Sequence, residues 1–96
     1  KRPGVHVRTG KMVAEFAVAG ANKGEALQAL IDQTEPDVTV FVGDDVTDED
    51  GFAVLGDADI GIKVGSEVTA ATHRVASPDE VLAVLARLIQ HRSLRG

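Results

Sequence analysis

The sequence contains no cysteine, no tryptophan and no tyrosine, and its aromatic residues are three phenylalanines. Without cysteine, disulfides and thiolate-held metals are excluded. So few aromatics leave little for unpaired bases to stack on, and a net charge of −5 opposes a phosphate-backbone partner. No apolar run approaches the ~20 residues that a membrane-spanning helix needs, and no signal-peptide pattern opens the chain. The expectation is a cytoplasmic protein with neither nucleic-acid nor membrane partners. At 96 residues the chain is one small domain or part of a larger one. Its core and strand positions fall to Val, Leu, Ile and Ala, which suits an α/β layer structure whose strands are covered on both faces.

Hydrophobic periodicity gives an order of elements. Val5 to Arg8 alternates, Thr9-Gly10 offers a turn, and Lys11 to Val18 reads as a second strand, so a β-hairpin is expected at the start. Gly20 breaks it. Asn22 stands as an N-cap with Glu25 three residues on, and Ala26, Leu27, Leu30 and Ile31 form one helical stripe that Pro36 closes. Val38 to Val42 is a β-branched run ended by Gly43, expected as a buried central strand. Thr47 is the candidate cap of a short helix over Asp48–Leu55. A strand over Asp59–Val64 and a short one over His73–Val75 follow. Ser77-Pro78 then opens a last helix with Val81, Leu82, Val84, Leu85, Leu88 and Ile89 on its apolar face, and Arg87, His91 and Arg92 in its last turns. Strands alternating with helices indicate a parallel sheet. His6, His73 and His91 have no partners at ligand spacing and read as surface or interface residues.

The stretch VFVGDDVTDEDGF, Val40 to Phe52, packs five carboxylates into the seven residues from Asp44 to Asp50. In open parallel sheets, ligands bind at the carboxyl ends of the strands, and this stretch leaves the central strand at that end. Asp48, Glu49 and Asp50 fit the first turn of a helix, where negative charge is worth roughly 0.3–1 kcal/mol each. That account suffices for Glu49 and Asp50. It leaves Asp44 and Asp45, which precede the helix, unexplained. A hard cation such as Mg2+ takes carboxylate oxygens and keeps several waters, so one or two such residues can hold it. An EF-hand is ruled out, because reading back from Gly51 its first ligand would be Val46.

The segment GDDVTDEDGF closely resembles motif IV of the haloacid-dehalogenase-like phosphatases, in the version of the trehalose-6-phosphate phosphatases, GDDxTDEDAF. Gly51 replaces the usual Ala. Upstream, MVAEFAVAGANKGEAL, Met12 to Leu27, is similar to that family's VVEIRPxGxxKGxAL, with Glu15 and Lys23 at the same eight-residue spacing. The resemblance covers most of residues 11–55. It implies that Asp44 ligates magnesium, that Asp48 supports the metal through water or from behind the ligands, and that Asp45 is a weaker candidate for the same part. It implies that Lys23 holds the nucleophile and the phosphoryl oxygens, and that Glu15, on the cap domain, bonds sugar hydroxyls. Without the resemblance, Lys23 reads as a solvated lysine and Glu15 as an outward strand residue. Ala17 and Val18 depart from the family's Arg and Pro.

The implied fold is part of a haloacid-dehalogenase-type, Rossmann-like parallel sheet with flanking helices. Residues 1–19 would be the terminal hairpin of a cap domain and residues 20–96 the C-terminal part of the core. The implied reaction is Mg2+-dependent hydrolysis of trehalose 6-phosphate through an aspartyl-phosphate. The family's DxDGT nucleophile motif is missing: Asp57-Ala58-Asp59 precedes an apolar run instead of following one and reads as a turn. The nucleophile is therefore expected on a missing N-terminal half of the same protein. Alone, this portion would be inactive and would expose an unpaired central strand edge. A phosphatase of another sugar phosphate, or a phosphatase-like module that binds without turnover, are the competing readings.

Overall fold

The computed structural model describes residues 4–17 and 20–95. Val18, and the side chains of Ile89, His91 and Arg92, each given a part above, lie outside what it describes. Four strands form one sheet, β1 (Val5–Thr9), β2 (Val38–Gly43), β3 (Ile60–Val64) and β4 (His73–Val75), ordered β1-β2-β3-β4. Every pairing is parallel, with Val7 opposite Val40, Phe41 opposite Gly61 and Ile62 opposite His73. The helices are α1 (Gly10–Phe16), α2 (Lys23–Thr34), α3 (Asp48–Ala53) and α4 (Val81–Arg95), the last entered through a 3-10 turn over Pro78–Glu80.

The sheet separates two apolar layers, and the period of two along β2 shows how. Val38 and Val40 point to one face and pack with Ile60, Ile62, Val75 and Leu85 of α4. Phe41 points to the other face and packs with Val13 of α1, Ala26 and Leu27 of α2, and Phe52 of α3. A strand buried on both faces reads as a continuous apolar run, which is why β2 was legible. The Phe41 and Phe52 rings meet edge to face with centroids 5.3 Å apart. Gly51 lies against this pair: a Cβ there would come within 2.7 Å of Phe41 Cζ. The Phe41 ring thus fills the space that the Ala of the related motif would use.

The expected hairpin does not form. Val5–Thr9 is a strand, but Lys11–Phe16 lies in the helix α1, and β1 joins the same parallel sheet as the strands after it. The physical reason is local at Thr9. Its hydroxyl accepts the Met12 N–H at 3.2 Å, which caps a helix instead of closing a β-turn. The alternation of four residues could not distinguish a parallel from an antiparallel partner. β1 and α1 share the sheet and the core of the residues that follow. Because β1 pairs along the whole of Val38–Val42, the exposed central edge expected above is covered as well.

Other local signals hold closely. The Asn22 side chain accepts from Glu25 N at 2.8 Å and Glu25 accepts from Asn22 N at 3.0 Å, a complete capping box for α2. That helix closes at Glu35, whose φ of 46° lies in the left-handed region, just before Pro36. Thr47 makes no side-chain cap to α3, unlike the expectation; the helix opens instead on main-chain bonds from Asp48 N to Asp45 O and from Glu49 N to Val46 O. Asp59 is a turn residue as expected, binding Gly56 N and Thr39 N at the amino end of β3, the end away from Gly43. His6 on β1 is half-buried, and its buried Nδ1 makes no hydrogen bond among the described residues. Among the described residues, no helix is long and apolar enough to cross a membrane.

Candidate functional site

Strand β2 ends in Gly43, and the acidic stretch leaves it over the carboxyl end of the sheet. Asp48 organises that stretch. Its side chain is 1% exposed, and both oxygens are used. Oδ1 accepts from Lys23 Nζ at 2.6 Å; Oδ2 accepts from the main-chain N–H groups of Asp44 at 2.8 Å and Asp45 at 2.9 Å. One carboxylate therefore shapes the loop and fixes the lysine at the head of α2. The close approach depends on glycine. A Cβ on Gly43 would sit 2.5 Å from Asp48 Cβ, and one on Gly10 would overlap the Asp48 carboxylate.

Four of the residues expected at the site come together here. Asp44, Asp45 and Asp48 each offer an oxygen within 4.8 Å of the others, and Lys23 joins them through Asp48. Lys23 is not a solvated lysine; its side chain is only 14% exposed. Asp44 and Asp45 are exposed and make no ion pair among the described residues. Two unit charges about 5 Å apart repel by roughly 1 kcal/mol in water and roughly 3 kcal/mol at an effective dielectric constant of 20. A bound divalent cation relieves that repulsion. The donor set fits one: all oxygen, with two free carboxylates and room for water. Asp48, buried and already accepting from three donors, fits a supporting part behind the ligands better than direct ligation.

Glu15 is not brought to this cluster. It is exposed on α1 and makes no hydrogen bond or ion pair to the other site residues in the described structure. A cleft of about 260 Å3 beside Lys23 is lined by Ala14, Ala17, Asn22, Thr47 and Asp50. A second, of about 200 Å3, brings Asp44 beside Thr9, Gly10 and Lys11. The larger groove between α1 and α2, about 530 Å3, has Glu25 as its one ionisable lining residue and lacks convergent polar groups.

Two residues at the site were missed in the sequence. Lys63 is buried in β3, opposite Gly43, and donates to the Asp44 main-chain oxygen at 3.1 Å. Its ammonium also lies 3.8 Å from Glu49 Oε2 and 3.7 Å from Glu67 Oε1. Glu49 is more than a first-turn acid: Oε1 accepts from Ala70 N at 2.7 Å, which ties α3 to the loop before β4. Glu67, at the surface, is held below the usual carboxylate range by its own main-chain N–H and then by the Lys63 charge. Any stability it contributes is present above its unfolded value and is lost as pH falls through the lowered one. The available signal was a lysine inside the apolar run Ile60-Gly61-Ile62-Lys63-Val64.

Comparison with known proteins gives one consistent result. A family model described as trehalose-phosphatase matches residues 1–85. The chain is 39% identical over 83 residues to the trehalose-6-phosphate phosphatase of Escherichia coli (strain K12), a match that covers 82% of this chain and 31% of that protein. It is 34% identical over 107 residues to the trehalose-phosphate phosphatase of Mycobacterium marinum, covering all of this chain and 27% of that protein. It is also 36% identical over 85 residues to the bifunctional trehalose-6-phosphate synthase/phosphatase of Thermoproteus tenax, covering 88% of this chain and 12% of that protein. The chain thus spans less than a third of the length of each of these relatives. No solved structure matches it. With the acidic loop and its lysine assembled at the carboxyl end of a parallel sheet, and with a family match running over most of its length, the chain belongs to the trehalose-phosphatase family.

Proposed function

We propose that this chain supplies the metal- and phosphate-holding part of a phosphatase centre that hydrolyses trehalose 6-phosphate to trehalose and phosphate. The observation that carries the reading is the junction at Asp48, where one buried carboxylate fixes both Lys23 and the loop bearing Asp44 and Asp45. Membership of the trehalose-phosphatase family and the names of its relatives support the substrate.

Each residue then has a separate task. An ammonium has three N–H donors. Lys23 gives one to Asp48, which leaves two for phosphoryl oxygens and for a nucleophilic carboxylate. Asp48 keeps that ammonium aimed and prevents it from swinging into solvent. Asp44 and Asp45 would hold Mg2+, with Asp48 behind them. When bound, Mg2+ supplies positive charge against the phosphoryl oxygens, as is general for metal-assisted phosphoryl transfer. The nucleophilic aspartate, and a second aspartate that protonates the leaving sugar oxygen, would come from outside these 96 residues. Asp57 and Asp59 do not suit those parts, because Asp59 is spent in the turn at the opposite end of β3. Glu15 keeps its proposed contact to sugar hydroxyls, since an exposed acceptor-only carboxylate suits hydroxyl donors.

Phosphate release from a panel of sugar phosphates tests the reading, with the protein expressed from its complete coding sequence. Trehalose 6-phosphate is expected to be the preferred ester. Asp44→Asn is expected to lower the rate by about 10²-fold or more, on the scale of losing one preorganised electrostatic contact, with the fold kept because Asp44 is exposed. A flat substrate profile would overturn the choice of sugar. Undiminished activity in Asp44→Asn would overturn the site. Metal binding without turnover of any ester would instead assign a binding role.

A further inference from the structure

Lys63 is the most deeply buried charge that the proposed chemistry does not use. Its residue is 1% exposed, at the carboxyl end of a strand whose neighbours Ile60 and Ile62 are core residues. Lysine is almost never fully buried unless paired, and an apolar side chain would cost less in such a place. The ammonium is therefore expected to be held there by something specific. Its one hydrogen bond among the described residues goes to a main-chain oxygen, that of Asp44 at 3.1 Å.

That bond completes a clamp. The Asp44 N–H is held by Asp48 Oδ2 at 2.8 Å, and its carbonyl is held by Lys63. Both peptide groups of Asp44 are thus fixed from inside the protein, while its carboxylate stays exposed. The Lys63 ammonium is itself steadied from a third direction. Glu49 Oε2, 3.8 Å away, is buried and has no hydrogen bond of its own, and its sister oxygen anchors Glu49 to Ala70 N. We propose that Lys63 is the positioning residue for Asp44: it turns the Asp44 carbonyl inward so that the carboxylate alone is presented to the divalent cation. The inference rests on the reading of Asp44 as a metal ligand and adds that the Asp44 main-chain oxygen is not one.

Charge and positioning predict opposite signs, which makes the test sharp. Removing a cation beside an acidic site should tighten cation binding if only charge matters. Removing the clamp should weaken it. The probe is Mn2+ alone, followed by electron paramagnetic resonance titration of the protein expressed from its complete coding sequence, with Asp44→Asn as control. Lys63→Met keeps the stem and removes the ammonium. It is expected to raise the Mn2+ dissociation constant about 10-fold, the usual scale for losing a partner that orients a ligand. In the metal-free protein it is also expected to speed hydrogen exchange at the Asp44 and Asp45 amides. If Lys63→Met does not fold, Lys63→Met/Glu49→Gln removes both charges without changing the net charge, and the same weakening is expected. Unchanged or tighter Mn2+ binding in a folded variant overturns the proposal while leaving Asp44 as ligand. If the wild-type protein binds no Mn2+, or Asp44→Asn binds it equally well, the metal reading itself fails and this inference fails with it.

Discussion

Asp48→Ala is expected to destabilise the fold by about 3 kcal/mol, the lower end of the range for breaking a buried ion pair by removing one partner. The lower end applies because Lys23, 14% exposed, can partly recover solvent once released, whereas Asp48 is sealed at 1%. Three hydrogen bonds are lost together, and the two main-chain donors on Asp44 and Asp45 are left without their shared acceptor. Asp48→Asn should not repair the site. Three donors converge on the two oxygens, so an amide must turn its NH2 group toward Lys23 or toward the main-chain N–H groups. Urea denaturation at neutral pH measures the first change, and a loss under about 1 kcal/mol would mean that Asp48 is not the anchor of the loop.

Lys23→Met separates holding the fold from holding the phosphate. In the proposed mechanism the ammonium faces a group that gains negative charge, and removing such a donor costs about 10²–10³-fold in rate. The single variant also leaves Asp48 charged, buried and short of a partner, so it should lose stability too. Adding Asp48→Asn removes the stranded charge. The pair Lys23→Met/Asp48→Asn is expected to regain part of the stability and none of the activity. Phosphate release and the urea midpoint, measured on the same preparations, check both halves. Activity near the wild-type level in Lys23→Met would leave Lys23 with a structural part alone.

How much of this could be read from residues in order depends on the range of the interaction. The capping box of α2 is a bond between Asn22 and Glu25, three residues apart, and it was legible. The strand β2 announced itself through a run of β-branched residues broken only by Phe41, and the turn at Asp59 through its place before an apolar one. The start of the chain was misread because two signals had to be weighed together: a local one, Thr9 capping a helix, and a distant one, the parallel edge that β2 offers β1 33 residues away. At the site, spacing placed the acids at the right end of the sheet. It could not say which of five would be buried, since that depends on Gly10, Gly43 and Lys23 closing around Asp48. Lys63 was invisible for the same reason. Its partners Asp44, Glu49 and Glu67 lie on both sides of it in sequence, and only the sheet register opposite Gly43 brings the first within reach.

The central claim is that one end of this sheet holds a divalent cation on Asp44 and a phosphoryl group on Lys23. Anomalous scattering from crystals of the protein expressed from its complete coding sequence, grown with Mn2+ and inorganic phosphate, tests it most directly. The account predicts one strong manganese peak within bonding distance of the Asp44 carboxylate and a phosphate oxygen within hydrogen-bond distance of Lys23 Nζ. A peak elsewhere, or a phosphate that leaves Lys23 bound to Asp48 alone, would contradict it.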